Sequence, residues 1–429
     1  MAEGTLTSMI RKMVFKAEPY LPQVPKPKKK IPLQVRLLWC GVCLLIYMVM
    51  GQTPLFGATA PEFDFLAFAR VIFASQQGTL IELGIGPIVT AGLLMQLLRG
   101  SDILKFDFKK PEERGIFQTA TKMVTYIVIV AESIVYAVAV YGGPSEPFVL
   151  YVIIGQLMAA SIIIMFLDEL IQKGWGLGSG ISLFIMAGVA QQILWSLFSP
   201  LPAGDGGMIG IIPYIVESLI GSGDLGNVLF RSNQLPSIFG LCLTAGIILI
   251  LVFTQGMKIE IPIVSTKYRG FQAVYPIKMM YVSNIPVILA SALTANAVFV
   301  FQMIWSNFNP RNNNFFVNFI AQFDPTSPST PVGGLIYYVT PPRGLDVAAL
   351  DPMRGVGYVL FMIGIVVVFG KLWVELGGLS PKSAAQNLLD ADVQIPGFRR
   401  SNKPVEALLN KYIPSVTILG SMILGLLAG

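Results

Sequence analysis

Nine stretches of this chain run for about 20 residues with almost no charge, at 33–51, 79–98, 117–141, 148–170, 179–198, 238–257, 284–305, 355–376 and 411–429. About 20 residues at 1.5 Å each is the length that crosses the ~30 Å hydrocarbon core of a bilayer. Helices apolar on every side need lipid, or the interior of a large protein, around them. Charged residues are 13% of the chain and hydrophobic residues 54%, whereas a soluble domain is about a quarter charged; the surplus apolar surface therefore faces lipid. The fold class that follows is an all-α, polytopic membrane protein. Residues 1–32 are polar and proline-rich (PQVPKPKKKIP), without the apolar core and cleavage site of a signal peptide. The first span is then its own targeting signal.

Lysine and arginine orient such a bundle, because they accumulate in cytoplasmic loops. With the N-terminus inside, 25 of the 30 basic residues fall on the cytoplasmic side, leaving Arg70, Arg231, Arg311, Arg343 and Arg354 outside. One missed or invented helix would scramble that alternation, so the asymmetry supports the span assignment as well as the orientation. The chain stops at SMILGLLAG, as the ninth helix reaches the outer surface with no polar tail. A missing piece is expected there.

Chemistry is narrowed by what the sequence lacks. It contains no histidine, the commonest metal ligand and general base, which excludes zinc-protease motifs and Ser-His catalysis. Cys40, Cys43 and Cys242 all lie in apolar stretches; Cys40 and Cys43 form C-x-x-C, but inside a lipid-embedded helix they read as small packing residues. No cofactor and no enzymatic activity are expected.

The second stretch, LIELGIGPIVTAGLLMQ, is unusual for a spanning helix because Gly84, Gly86 and Pro87 sit near one end. Proline lacks an N–H and disfavours helix at the residue before it. Lipid cannot satisfy the backbone groups so freed, so irregular backbone at that depth must pack against protein or line a cavity. Similar irregularities occur in GWGLGSGISLFIMAG at the fifth span and SNIPVILASAL at the seventh. Branched apolar residues follow closely in each case: Ile85 and Val89, Ile181 and Ile185, Ile285 and Ile288. Spacings of four, four and three put each pair on one helix face. Lipid contact explains any single pair; recurrence beside backbone breaks raises a shared apolar constriction.

Two cytoplasmic loops, 258–283 and 377–411, carry concentrated features. In the first, residues 259–266 are β-branched with alternating polarity and precede Tyr268-Arg269-Gly270, predicting a protruding hairpin with Lys267 and Arg269 at its tip. In the second, VQIPGFRRSNKP presents Arg399, Arg400 and Lys403 after a Pro-Gly turn. Such charges either only enforce orientation or dock a polyanion such as ribosomal RNA. Within the spans, Glu132 is the deepest carboxylate, accompanied by Thr90, Gln96, Gln156 and Asn296. An intramembrane ionisable group marks a functional interior by default; the other reading is an interhelical hydrogen bond that glues the bundle.

The stretches GTLIELGIGPIVTAGLLMQLL, GWGLGSGISLFI, EIPIVSTKYRG with YPIKMMYVSNIPVIL, and WVELGGLSPKSAAQNL with IPGFRRS together resemble the SecY family of protein-conducting channels. The resemblance covers about residues 19–429 and is closer to the archaeal and eukaryotic branch. It implies a clamshell of two pseudo-symmetric helical halves: 1–198 with spans one to five, 238–429 with spans six to nine, and an external hinge connection at 199–237. It implies a pore ring at Ile85, Val89, Ile181, Ile185, Ile285 and Ile288, and a plug over about 62–73 containing Glu62, Phe63, Phe65, Leu66, Phe68, Ala69 and Arg70. It further implies a lateral-gate polar cluster of Thr90, Glu132 and Asn296, and ribosome docking by Lys267, Arg269, Arg399 and Arg400. Implied partners are a SecE-type subunit, a small beta or SecG-type subunit, the ribosome, and a nascent polypeptide with its signal sequence. The implied location is an archaeal plasma membrane or the endoplasmic reticulum membrane. Family members have ten spans, so the tenth is missing here.

A secondary transporter is the alternative from another class, since transporters also use broken helices around a midplane site. Glu132 and Asn296 would then bind a proton or small solute. The bundle offers few converging charged groups at midplane, which disfavours it.

Overall fold

In lipid every peptide N–H and C=O must find a partner within the protein, so the apolar stretches fold as helices. The structure, a computed structural model, describes the chain apart from residues 1–4, 59–69, 102, 105, 107–109, 142–146, 204–206, 221–227, 230, 232–234, 266–271, 283, 326–329, 343–344, 391–392 and 395–401. In chain order the helices are α1 (Thr5–Ala17), α2 (Leu33–Gln52), α3 (Arg70–Phe73), α4 (Gly86–Gly100), α5 (Pro111–Tyr141), α6 (Pro147–Leu170), α7 (Gly180–Phe198) and α8 (Ile211–Ile220). There follow α9 (Ile238–Gly256), α10 (Ile285–Phe308), α11 (Phe315–Ile320), α12 (Leu335–Val339), α13 (Leu345–Leu350), α14 (Pro352–Leu376), α15 (Pro381–Asp390) and α16 (Asn402–Ala428).

Among the described residues, eight helices are long and apolar enough to cross a membrane: α2, α5, α6, α7, α9, α10, α14 and α16. The protein is a multi-pass, all-α membrane protein. The stretch 79–98 is helical only from Gly86, where α4 begins and runs for 15 residues. Elsewhere helices outrun the apolar stretches: α5 starts at Pro111 instead of 117 and α16 at Asn402 instead of 411. Hydropathy marks where lipid begins, whereas a helix continues into water as long as its residues allow.

The chain divides into two compact units, Met1–Leu194 with Ser291–Thr340, and Trp195–Ala290 with Pro341–Gly429. In the first, α1 lays Val14 against Met95, Leu104, Phe106 and Ala120. Its Arg11 meets Glu113 at the start of α5 at 2.6 Å. A second core joins Leu55 and Leu83 to Tyr136, Ala137 and Tyr141 of α5 and to Ile153 and Leu157 of α6. A third surrounds Trp305, Phe323 and Ile336 beside a two-stranded pairing of β3 (Gln322–Phe323) with β4 (Pro331–Gly333).

The second unit is built on α14 and α16, which meet through small residues. A Cβ on Gly425 would lie 2.7 Å from the Cα of Ile363, so only glycine permits that backbone approach. A cluster of Ile261, Ile277, Val374, Ala385, Leu409 and Ile413 ties α14, α15 and α16 to the expected hairpin. That hairpin is β1 (Lys258–Ser265) paired antiparallel with β2 (Gln272–Lys278), Lys258 opposite Lys278 and Ile261 opposite Tyr275. A strand absent from the sequence expectation, β5 (Val393–Gln394), adds to β1 and makes the order β2-β1-β5.

Candidate functional site

The irregular lead-in to α4 packs against protein, as its chemistry requires. Gly84 has φ +55, and a Cβ there would collide with the carbonyl of Phe73, so glycine is required on both counts. The same Phe73 carbonyl accepts the N–H of Ile85 at 2.9 Å. Upstream, the N–H of Leu55 donates to Gly78 at 2.9 Å and that of Leu80 to Thr53 at 3.0 Å. Backbone groups that a continuous helix would have satisfied internally thus find partners in neighbouring chain.

All three predicted apolar pairs sit at helix starts. Ile85 is the residue before α4, and its carbonyl accepts the N–H of Val89 at 3.1 Å, so the two lie one turn apart. Both are buried. Ile181 and Ile185 occupy the first turns of α7, and Ile285 and Ile288 the first turn of α10, where the carbonyl of Asn284 accepts from Ile288 at 3.2 Å. These four are half-buried. Ile85, Val89, Ile181 and Ile185 belong to the first unit, Ile285 and Ile288 to the second.

The polar cluster Thr90, Glu132 and Asn296 is brought together within the first unit. Asn296 Nδ2 donates to Thr90 Oγ1 at 2.8 Å, joining α10 to α4. Glu132 of α5 shares a hydrogen bond with the same Thr90 side chain. Its carboxyl lies beside the first residue of α4, where a Cβ on Gly86 would be in ordinary contact, 3.8 Å from Glu132 Oε2. This arrangement can join three helices with a single hydroxyl.

Of the predicted plug residues, Glu62, Phe63, Phe65, Leu66, Phe68 and Ala69 lie outside the described residues, and Arg70 opens α3. Arg70 Nη2 meets Glu82 Oε1 at 2.8 Å. Glu82, 0% exposed, also accepts from Tyr136 at 2.6 Å, from Tyr141 at 3.3 Å and from the Gly78 N–H. Sequence reasoning missed it and ranked Glu132 deepest, yet Glu82 is the more completely enclosed. Its signal was a lone carboxylate in an otherwise apolar stretch between two glycines.

Asp168 near the end of α6 was also missed. It is 6% exposed and accepts the N–H of Ile181 at 3.0 Å and Nε2 of Gln172 at 2.8 Å. Lys267, Arg269, Arg399 and Arg400 lie outside the described residues. The strands that lead into both basic stretches do pair, with Val264 opposite Gln394. Cys40 and Cys43 are buried and free, and Cys40 Sγ accepts the N–H of Leu177 at 3.2 Å. Among the described residues no group of three or more acidic or cysteine side chains could hold a metal ion.

Comparison with known proteins gives concordant matches. Residues 79–429 match the family model described as SecY, and residues 45–78 the one described as the plug domain of Sec61p. The protein translocase subunit SecY of Pyrococcus furiosus is 37% identical over 432 aligned positions, covering 97% of this chain and 89% of that one. A solved structure described as that of a protein conducting channel superposes with TM-score 0.79 at 34% identity, covering 97% of this chain and 88% of the other. Sec61 in the canine ribosome-channel complex from the endoplasmic reticulum superposes with TM-score 0.76 at 33% identity, covering 96% and 88%.

Proposed function

The chain belongs to the SecY family, and on that premise we propose how its own residues divide the work of a translocon. It is a protein-conducting channel subunit and not an enzyme: it moves secretory polypeptides across the membrane and releases transmembrane segments sideways into it. The halves 1–198 and 238–429 form the clamshell, hinged near 199–237. Eight long helices and α4 make nine crossings. At 15 residues α4 spans about 22 Å, and its irregular lead-in fills the remaining thickness.

One observation carries the pore assignment: α4, α7 and α10 each start with a pair of branched apolar side chains three or four residues apart. Ile85, Val89, Ile181, Ile185, Ile285 and Ile288 then form a ring that closes around a passing chain. Such a ring presents no hydrogen-bond partner to water or ions, so it seals by dewetting. Uncharged walls also suit a substrate that presents every kind of side chain in turn, since a fixed charge would trap some of them. Changing Ile181 and Ile185 together to glycine is expected to raise ion leak in planar bilayers severalfold. Wild-type conductance in that double variant would remove the ring from the mechanism.

Residues of about 62–73 form the plug, with Arg70 held by Glu82 at its end. Thr90, Glu132 and Asn296 form the seam through which segments leave. An apolar signal helix that wedges there replaces contacts between protein helices with its own. It shifts the channel towards open only by binding the open state better than the closed one. Release into lipid is then a partition, favoured by about 0.3 to 0.6 kcal/mol for each Leu, Ile, Phe or Val near the helix centre.

The N-terminus is cytoplasmic in this reading, which the placement of 25 of 30 basic residues on that side supports. Lys267, Arg269, Arg399 and Arg400 dock ribosomal RNA. The pairing of β1 with β5, which joins the stems of both basic stretches in one sheet, supports a single docking surface, as does similarity to a ribosome-bound relative. Contacts of Arg and Lys with phosphate weaken steeply with salt. A SecE-type subunit and a small beta or SecG-type subunit complete the complex, in an archaeal plasma membrane or the endoplasmic reticulum membrane.

A further inference from the structure

The turn from α6 into α7 contains a buried carboxylate that neither the ring nor the gate uses. A carboxylate inside a spanning helix is expensive unless its oxygens are satisfied. Asp168 satisfies its own largely at one place. Oδ1 accepts the N–H of Ile181 at 3.0 Å, and the side chain also accepts that of Gly180. Gly180 and Ile181 are the first two residues of α7, whose N–H groups have no partner inside their own helix. A negative charge there also meets the positive end of the helix dipole. The carbonyl of Ser179 accepts from Leu183 at 3.1 Å, so Ser179 precedes the helix in the usual capping position while the capping side chain comes from the helix before.

Sterics enforce the same approach. A Cβ on Gly180 would lie 2.7 Å from the Cα of Asp168, so α7 reaches α6 this closely only with glycine at its first position. The end of α6 is itself pinned: Glu169, next to Asp168, meets Lys122 of α5 at 2.7 Å and Lys173 at 2.8 Å. Between the two helices the chain passes through a single π-type turn, Ile171–Trp175, with Gly174 at φ +102. Four irregular residues, 176–179, with glycine at 176 and 178, separate that turn from α7, so the two-point hydrogen bond from a pinned carboxylate fixes the helix at its own first turn.

We propose that Asp168 is a positioning residue for the channel seal, fixing the height and rotation of the first turn of α7 and therefore of Ile181 and Ile185. The inference rests on the ring reading above and adds the device that sets the share contributed by α7. A loosened cap lets that turn fray, and the branched side chains on it no longer meet their neighbours.

The test uses the full chain, purified with whatever subunits accompany it and reconstituted in planar bilayers containing potassium chloride. Asp168→Leu keeps the branched heavy-atom skeleton, with bulkier methyl groups in place of oxygens, but has no acceptor, whereas Asp168→Asn keeps Oδ1. Asp168→Leu is expected to raise conductance severalfold, towards the level of the Ile181 and Ile185 double glycine variant, and Asp168→Asn to stay close to wild type. Asn314→Ala removes an ordinary cap, the side chain that accepts from Phe316 at 3.1 Å, and is expected to cost stability without leak. A double glycine variant that leaks beside an Asp168→Leu channel that stays tight would overturn the role of Asp168 and leave the ring standing. A double variant that stays tight would overturn both. Leak from Asn314→Ala equal to that from Asp168→Leu would overturn the proposal as well, because any lost cap would then open the channel. If Asp168→Leu fails to fold, Gly180→Ala, which drives a methyl group into the Asp168 backbone, decides in its place: leak supports the assignment and wild-type conductance overturns it.

Discussion

Two polar clusters in the first unit bind helices in opposite ways. Thr90 and Asn296 are neutral and half-buried, joined by one hydrogen bond of 2.8 Å, and the Thr90 hydroxyl also bonds the Glu132 carboxyl without any paired cation in the cluster. Glu82 and Arg70 are charged and enclosed, with two tyrosine hydroxyls and a backbone N–H completing the shell of the carboxylate. A neutral hydrogen bond exchanged for water changes stability by about 0.5 to 1.5 kcal/mol net. Separating a buried charge from its partner costs about 3 to 5 kcal/mol. The first suits the seam proposed above, whose helices part and rejoin. The second suits a lasting joint, which ties α3 to α5 and to the lead-in of α4.

Breaking the joint should have the largest effect. Glu82→Ala leaves the Arg70 guanidinium enclosed without its carboxylate and is expected to destabilise the purified complex by about 3 to 5 kcal/mol, read as a lower thermal midpoint. An unchanged midpoint would erase the contrast between the clusters. Tyr136→Phe removes only a hydroxyl donor to a charged acceptor, and a loss of about 1.5 to 3 kcal/mol is expected in the same assay. The smallest change should come from Thr90→Val, about 0.5 to 1.5 kcal/mol for each of its hydrogen bonds to Asn296 and Glu132. Its more telling readout is translocation of precursors with weakly apolar signals, which should rise because less binding energy is needed to part the seam. A Thr90→Val channel as demanding of signal hydrophobicity as wild type would place the seam elsewhere.

The sequence made one cluster legible and hid the other for a physical reason. Thr90, Glu132 and Asn296 stand out because polar residues inside spanning helices demand partners, and all three have them. Glu82 lies in a stretch that breaks helical periodicity, and its partner Tyr136 is an aromatic that reads as ordinary span surface. Nothing local announces that pairing across 54 positions. Asp168 was hidden similarly, because the partners that tie it to α7 are backbone N–H groups, which no sequence pattern labels. The glycine and proline break before α4 was readable, since each residue type there has one dominant conformational consequence. So was the β1–β2 hairpin, from its alternation. The short β5 was not, because two residues carry no periodicity.

The hydrogen bond from Ile85 to Phe73 has a use beyond holding the lead-in together. That amide sits ahead of the first turn of α4, where the helix offers it no internal acceptor, so its protection depends on Phe73 staying in place. Its deuterium uptake would therefore clock every departure of the α3 end from its seat. A single peptide N–H becomes a native gauge of how often α3 parts from the start of α4, with no label attached to the moving part.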